Sequence, residues 1–316
     1  MNKSVSLPDF SDLHLLVVGD VMIDRYINGQ VTRISPEAPV PVVEQKSIEN
    51  RAGGSANVAL NIRSLGAKVS LLSIGGHDLE FDILNEILSE TRMDTHILKL
   101  QNRKTSIKTR VMCGNQQLLR IDHEDKHDLN PKEEAQLMTA FIDILTNNQI
   151  DGIILQDYNK GMLTKNLIHF IMEKANAEII PTFVDPKEKN FFSYKNCTLF
   201  KPNKKEIRQA VGDVTWDEAD TLIRQNLQNK CTLITLGSEG IYLNDGFSSN
   251  VYPTEQRVIA DVCGAGDSVI SIVALCYIKG MKSEDIAKVA NTAGGQVCEI
   301  PGVVPVNLEK LMQELS

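Results

Sequence analysis

In the segment DVCGAGDSV, residues 261–269, three residues without bulk, Gly264, Ala265 and Gly266, run straight into the carboxylate of Asp267. The apolar run that follows, from Val269 to Ile278, has the length of a helix, so the small residues predict a helix mouth where backbone N–H groups approach an anion closely. A carboxylate at that place suits a base that takes a proton from an attacking hydroxyl while a phosphoryl group rests on the amides. It equally suits a helix N-cap, for which aspartate is a favoured residue. Asp261, at the start of the segment, reads as a turn residue or as the neighbour of a cation.

Three further stretches carry polar groups at useful spacings. In RAGGSANVALNIRSLG, Gly53 and Gly54 precede a helix with Asn57 one turn in, an arrangement that offers amides to a polar ligand such as a sugar or makes a plain tight turn. In FKPNKKE, Asn203 and Glu206 stand three apart where a strand meets a helix. They could face a hydrated Mg²⁺ between nucleotide phosphates, form a capping box, or do both. In TLGSEG, Thr235, Gly237 and Gly240 belong either beside nucleotide phosphates or in a glycine hairpin. The stretch VVGDVMID follows a strand as a dinucleotide fingerprint would, but it has only Gly19 and lacks GxGxxG, which sets nicotinamide chemistry aside.

Such groups need a scaffold, and the pattern predicts one. LHLLVVGD, VSLLSIGG, DGIILQD, IIPTFVD, CTLFKPN and CTLITLG read as strands. Helices are predicted in GGSANVALNIRSLGA, over about 79–92 and in NPKEEAQLMTAFIDIL. This alternation predicts an α/β fold with a doubly wound, mainly parallel sheet, whose ligands bind at the carboxyl ends of the strands. Asp20, Asp157, Asp185 and Asn203 fall at such ends. The stretch YINGQVTRISPEAPVPVVEQKSIENRA alternates apolar and polar residues around three prolines and predicts an inserted β flap over about 25–50, joined by part of about 95–123. Residues 1–316 are thus expected to form one domain carrying a flap. Its Val31, Ile34, Val40 and Val42 are apolar enough to want a partner surface, which predicts a flap-to-flap homodimer.

Composition narrows the function classes. A 42% hydrophobic and 23% charged chain without a long apolar tract predicts no membrane span, and the start MNKSVSLPDFSDLH lacks the features of a secretory signal, so a cytoplasmic location is expected. Six scattered cysteines without CxxC spacing predict reduced thiols and no structural zinc. A net charge of −8 without a basic run argues against nucleic-acid binding, and it means that any phosphorylated ligand must be held by local cations and amides.

Together, AGGSANVALNIRSLGA near the front and DVCGAGD near the back, with PNKKE and TLGSEG in order between them, resemble the signatures of the ribokinase-like (PfkB) carbohydrate kinase family over nearly the whole chain. The resemblance implies ATP-dependent phosphorylation of a sugar hydroxyl with Mg²⁺, often with a monovalent cation such as K⁺, on a doubly wound sheet with a β lid that commonly forms a dimer interface. Carried over by position, it makes Asp267 the base and Gly264, Ala265 and Gly266 the anion hole. Asn203, Lys204, Lys205, Glu206, Thr235, Gly237, Gly240 and Asn291 would surround ATP and its Mg²⁺, with Glu206 acting on the metal through water and Asp261 near a monovalent cation. Asp24, Gly53, Gly54 and Asn57 would hold sugar hydroxyls.

Within the family, VVGDVMIDRYINGQVTRISPEAPVPVVE, NQQLLRIDHE, QDYNKG and VDPK are similar to the branch that phosphorylates O1 of D-glycero-D-manno-heptose 7-phosphate, giving the 1,7-bisphosphate used for bacterial surface polysaccharide. RISPEAPVPV is the most specific of these blocks. An acceptor already bearing a phosphate needs cations, and Arg33, Arg120, Lys160 and Lys187 lie in matching segments. Each also reads as a solvated surface charge, but Lys160 and Lys187 follow predicted strand ends and are preferred. Asp20, Asp157 and Asp185 could bind hydroxyls or hydrated metal there, or serve as turn residues. Cys263 departs from the threonine usual before GAGD. Bifunctional relatives continue into a nucleotidyltransferase domain with an HxGH motif that does not follow here, so a kinase alone is expected. Other sugars or nucleosides as acceptors, and a binding protein without turnover, remain open readings.

Overall fold

Four enclosed aliphatic residues, Leu15, Leu16, Val17 and Val18, occupy the centre of the computed structural model, which describes residues 4–316. They belong to β1 (His14–Gly19), and burial on both faces explains why the strand is continuously apolar instead of alternating. In chain order there follow β2 (Val21–Ile34), β3 (Pro41–Gly54), α1 (Ser55–Ser64), β4 (Lys68–Gly76), α2 (Leu79–Ser89), β5 (Asp94–Leu100), β6 (Ile107–Cys113) and β7 (Gln116–His123). The second half comprises α3 (Pro131–Asn147), β8 (Gly152–Gln156), α4 (Lys165–Ala177), β9 (Thr182–Asp185), β10 (Leu199–Phe200), α5 (Lys204–Val211), α6 (Trp216–Leu227), β11 (Cys231–Thr235), β12 (Ile241–Asn244) and β13 (Ser249–Tyr252). The chain ends with α7 (Ala265–Ile278), α8 (Ser283–Cys298) and α9 (Leu308–Leu315).

Nine strands form the main sheet in the order β13-β12-β11-β10-β9-β8-β1-β4-β5, parallel except for β12, which runs antiparallel to both β11 and β13 at one edge. Each face of β1 feeds a separate core. Leu15 and Val17 pack with residues of α1, α2, α7, α8 and α9, such as Ile62, Leu84, Ile272, Val289 and Leu311. Leu16 and Val18 pack with residues of α3 to α6, such as Phe141, Ile168, Ile207 and Ile223. This is the doubly wound α/β arrangement expected from the alternation of elements. Local signals set the helix starts: α3, for example, begins with a capping box between Asn130 and Glu133 and a proline at its first position.

A second, four-stranded sheet has the order β3-β2-β6-β7. Its β2–β3 hairpin begins at Val21, with only Asp20 between it and β1, and runs to Gly54, so it is longer at both ends than the expected 25–50. THILKL does not join it; β5 pairs in parallel with β4 at the edge of the main sheet. Register assigns the faces. Asp24 pairs with Arg51 and Lys108, Tyr26 with Arg110, and Arg110 with Arg120, so these residues share the face turned toward the main sheet's carboxyl end. Ile27 pairs with Ile48 and Val111, and Val111 with Leu119, which makes the opposite face an apolar row.

Candidate active site

The first turn of α7 turns the Asp267 side chain inward, and the helix cap is Gly264, in a left-handed conformation (φ +81°) that only glycine adopts freely. A Cβ there would stand 3.0 Å from Asn57 Nδ2, against the amide that holds the aspartate. Asp267 Oδ2 accepts a hydrogen bond from Asn57 Nδ2 at 2.8 Å, and Oδ1 accepts from the Tyr158 hydroxyl at 2.7 Å and Gln156 Nε2 at 3.2 Å. Thus α1, the end of β8, the turn beyond it and α7 converge on one carboxylate. Burial pushes that carboxyl up to about 6, against the lowering effect of the Asn57 and Tyr158 bonds. Such a group is largely ionised at neutral pH yet basic enough to accept a proton, the balance that favours a general base.

Beside it lies an anion cradle. Lys201 Nζ is 2.9 Å from Asp185 Oδ2 with both side chains buried, and a Cβ placed on Gly266 would stand 3.5 Å from that ammonium. Gln156 Nε2 also donates to Asp185 at 3.1 Å, so its amide bridges the carboxylates of Asp185 and Asp267. Small residues at a helix mouth beside a buried ammonium are the donor set that charge on a phosphoryl group requires.

A cavity of about 670 Å³ opens on this cradle and is lined by Asn203, Lys204, Lys205, Thr235, Gly237, Gly240 and Asn291 together with residues 264–267. Leu236, Ile259, Val262, Ala290 and Cys298 add an apolar wall that no motif marked. Glu206 stands behind the lining: its Oε2 accepts from Asn203 N at 2.8 Å and Asn203 Oδ1 accepts from Glu206 N at 3.0 Å, the capping box that starts α5. Its Oε1 accepts from Lys187. Burial, then Asp185, push its carboxyl up.

On the small sheet, the buried Asp24 of β2 is ion-paired with Arg110 of β6. A Cβ on Gly53 would come within 2.0 Å of Asp24 Oδ2, so glycine there makes room for the carboxylate. Arg110 and Arg51 lie 5.3 and 5.2 Å from the Tyr26 ring centre, and Arg51 donates to the carbonyls of Pro301 and Val303 at 3.1 Å each, tying the small sheet to the body. Arg110 Nη2 is 3.5 Å from Cys263 Sγ, so the sulfur at the unusual position of DVCGAGD touches the small sheet.

Several residues expected to meet ligand are engaged otherwise. Asn57 spends its amide on Asp267. Asp20 accepts from the backbone N–H groups of Tyr158, Lys160 and Met162 at 2.9, 3.2 and 3.4 Å, which folds the turn that presents Tyr158. Asp157 accepts from Asn159 N and the Tyr194 hydroxyl, both at 2.7 Å. The reason is common to both aspartates: a buried carboxylate at a strand end is costly unless nearby donors satisfy it, and here the turn supplies them. Asp261 accepts from Cys263 N at 3.0 Å and Gly302 N at 3.1 Å, joining two loops. Lys160 pairs with Glu124, Arg120 is exposed and pairs with Asp122, and Arg33 is exposed.

Four residues of the site were not singled out from sequence: Gln156, Tyr158, Lys201 and Arg110. The strand-end rule that picked out Asp157 reaches its neighbours Gln156 and Tyr158, and Lys201 stands two residues before Asn203. Nothing in the pattern of SIKTRVM marks Arg110, because its role depends on strand register.

Comparison with known proteins places this geometry. The description "pfkB family carbohydrate kinase" matches residues 12–310. The bifunctional protein HldE of Methylobacillus flagellatus is 40% identical over 308 residues, covering 96% of this chain and 63% of that protein. HldE of Pseudomonas putida is 38% identical over 318 residues, covering 99% of this chain and 66% of that protein. The chain therefore spans a little less than two thirds of the length of these relatives. In fold, it is similar to Escherichia coli phosphofructokinase-2 in complex with potassium, at a TM-score of 0.78 and 19% identity over 96% of this chain and 98% of the other. It is also similar to Arabidopsis thaliana ribokinase complexed with ribose and ATP, at a TM-score of 0.69 and 16% identity over 95% of this chain and 98% of the other.

Proposed function

The chain belongs to the pfkB family of carbohydrate kinases and is a phosphotransferase acting on a sugar hydroxyl, and from that premise we propose that its acceptor is D-glycero-β-D-manno-heptose 7-phosphate, phosphorylated at O1 to the 1,7-bisphosphate. The observation that carries the chemistry is Asp267, a buried carboxylate raised to about 6 and held at the mouth of the anion cradle. Its Oδ1 or Oδ2 takes the proton of the attacking hydroxyl as the bond from O1 to the γ-phosphorus forms and the bond to the bridging oxygen of ADP breaks. The amides of residues 264–266 and the Lys201 ammonium take up charge on the transferring phosphoryl oxygens. The apolar wall of the 670 Å³ cavity suits the adenine of ATP.

Both Glu206 oxygens are already bonded within the protein, which fits Mg²⁺ held there through water rather than directly. When bound, that ion would neutralise phosphate charge. The small sheet is read as a lid on a single kinase domain, one that shields the acceptor from water so that water does not receive the phosphoryl group. Its outer apolar row, with Ile48, Leu119 and Ile121 about half exposed, supports a lid-to-lid homodimer; Ile34 and Val40 are exposed at its tip, whereas Val31 and Val42 are half-buried. Sequence blocks such as RISPEAPVPV support the heptose branch.

The test is ADP release from ATP with the heptose 7-phosphate, ribose, fructose or adenosine as acceptor. A clear preference for the heptose 7-phosphate is expected. Preference for an unphosphorylated acceptor would remove the heptose assignment while leaving the sugar kinase intact.

A further inference from the structure

Most cations around the acceptor side are paired. Arg110 is held by Asp24, Lys160 by Glu124 and Lys187 by Glu206, and Arg103 donates to the carbonyls of Lys160 and His127. Lys108 of β6 differs: it is half-buried on the inner face of the small sheet, and its ammonium makes no hydrogen bond or ion pair among the described residues. Its ammonium lies 5.0 Å from the centre of the Tyr158 ring, and that of Lys187, from the body, lies 5.5 Å from the same ring. The hydroxyl of that ring is 2.7 Å from Asp267 Oδ1. One side chain thus touches the base at its tip and has an ammonium of the small sheet and one of the body near its ring.

We propose that Lys108 reads the phosphate already carried by the acceptor sugar, with Lys187 facing it from the body and the Tyr158 ring spacing that phosphate from the hydroxyl that reacts. This rests on the reading of the acceptor as a sugar phosphate. Lys108 has no carboxylate at ion-pairing distance, Asp24 and Glu124 acting on it only from further off, and a phosphate monoester is the ligand class that would supply a direct counter-charge. Desolvation also pushes the Lys108 ammonium down from its ordinary value, as expected for a cation awaiting a counter-charge. Asp24 stands directly across from Lys108 in the register, so the sugar between phosphate and reacting hydroxyl would pass along the inner face of the lid. Because Lys108 belongs to the lid and Lys187 to the body, a bound phosphate would draw the two together.

The experiment compares wild type and Lys108→Gln with the heptose 7-phosphate and with the same heptose lacking the phosphate. For Lys108→Gln, KM for the phosphorylated sugar is expected to rise roughly 10- to 100-fold, the worth of one charge-assisted contact, with kcat, the KM of ATP and the KM of the unphosphorylated heptose little changed. Lys108→Met keeps the stem over the ring and removes only the charge; it should give the same split and carries the test if the glutamine variant does not fold. If wild type prefers the phosphorylated sugar and neither variant alters that preference, or KM for both sugars rises equally, the assignment of Lys108 is overturned and the acceptor reading stands. If wild type itself does not distinguish the two sugars, both fall together.

Discussion

The carboxylate cluster under α7 and the inner face of the small sheet, which we read as a lid, both reach the Tyr158 side chain, and they are built differently. Asp267, Asn57 and Gln156 are almost wholly enclosed, with Asp267 and Asn57 tied by a 2.8 Å hydrogen bond and Gln156 bridging to Asp185. They come from α1, β8 and α7, which are locked by the core on one face of the main sheet. The small sheet has an outer hydrophobic face with no partner among the described residues, and its inner face reaches the body through a few side chains: Arg51 to the carbonyls of Pro301 and Val303, the Tyr26 hydroxyl to Val303 N, Arg110 to Cys263 and Lys108 to the Tyr158 ring. Groups that must be held to a fraction of an ångström for proton and phosphoryl transfer are placed where packing leaves them no alternative. On the proposed reading, groups that choose the acceptor are placed on an element held to the body by few side-chain contacts.

The sharpest way to break this contrast is to damage the rigid side. Asp267→Asn is expected to lower kcat by about 10²- to 10⁴-fold, the usual worth of a positioned base, while ATP binding measured by calorimetry is retained. Near-normal turnover would return Asp267 to a structural role. On the lid, Lys108→Gln should act on KM for the sugar phosphate alone, a smaller effect of different kind. The outer face should matter least for chemistry: Leu119→Glu is expected to convert a dimer to a monomer by light scattering, with kcat changed only a few-fold. A wild-type monomer at micromolar concentration would contradict the lid-to-lid interface.

How far each region was legible in the sequence follows the same division. The main sheet could be read because buried parallel strands such as HLLVVG and GIILQ announce themselves by apolar continuity. Asp267 was marked by the small residues before it. The partners that hold it were harder to see, since Asn57, Gln156 and Tyr158 are brought to Asp267 from 109 to 210 residues away in the chain. Strand-end aspartates illustrate the converse. Asp20 and Asp157 obey the rule that ligands gather at carboxyl ends, yet their oxygens are consumed by the turns that present Tyr158 and by Tyr194, a matter of local backbone direction that no periodicity encodes. In the lid, the alternation of YINGQVTRI was visible, but which residues face inward depends on pairing with β6, and so Lys108 and Arg110 stayed hidden.

The central claim is that a buried carboxylate, raised by its enclosure and still ionised at neutral pH, accepts the proton. Protonation removes the acceptor, so activity must fall as pH drops through the raised value of Asp267 and be fully present above it. The deciding measurement is the pH dependence of kcat/KM for the sugar phosphate between pH 4.5 and 8.5, with substrate ionisation taken from its own titration. An acid limb falling tenfold per pH unit with an apparent midpoint near the value of about 6 carried by Asp267, absent from the residual activity of Asp267→Asn, is predicted. A profile that is flat through that region, or a limb that persists unchanged in the variant, would contradict it.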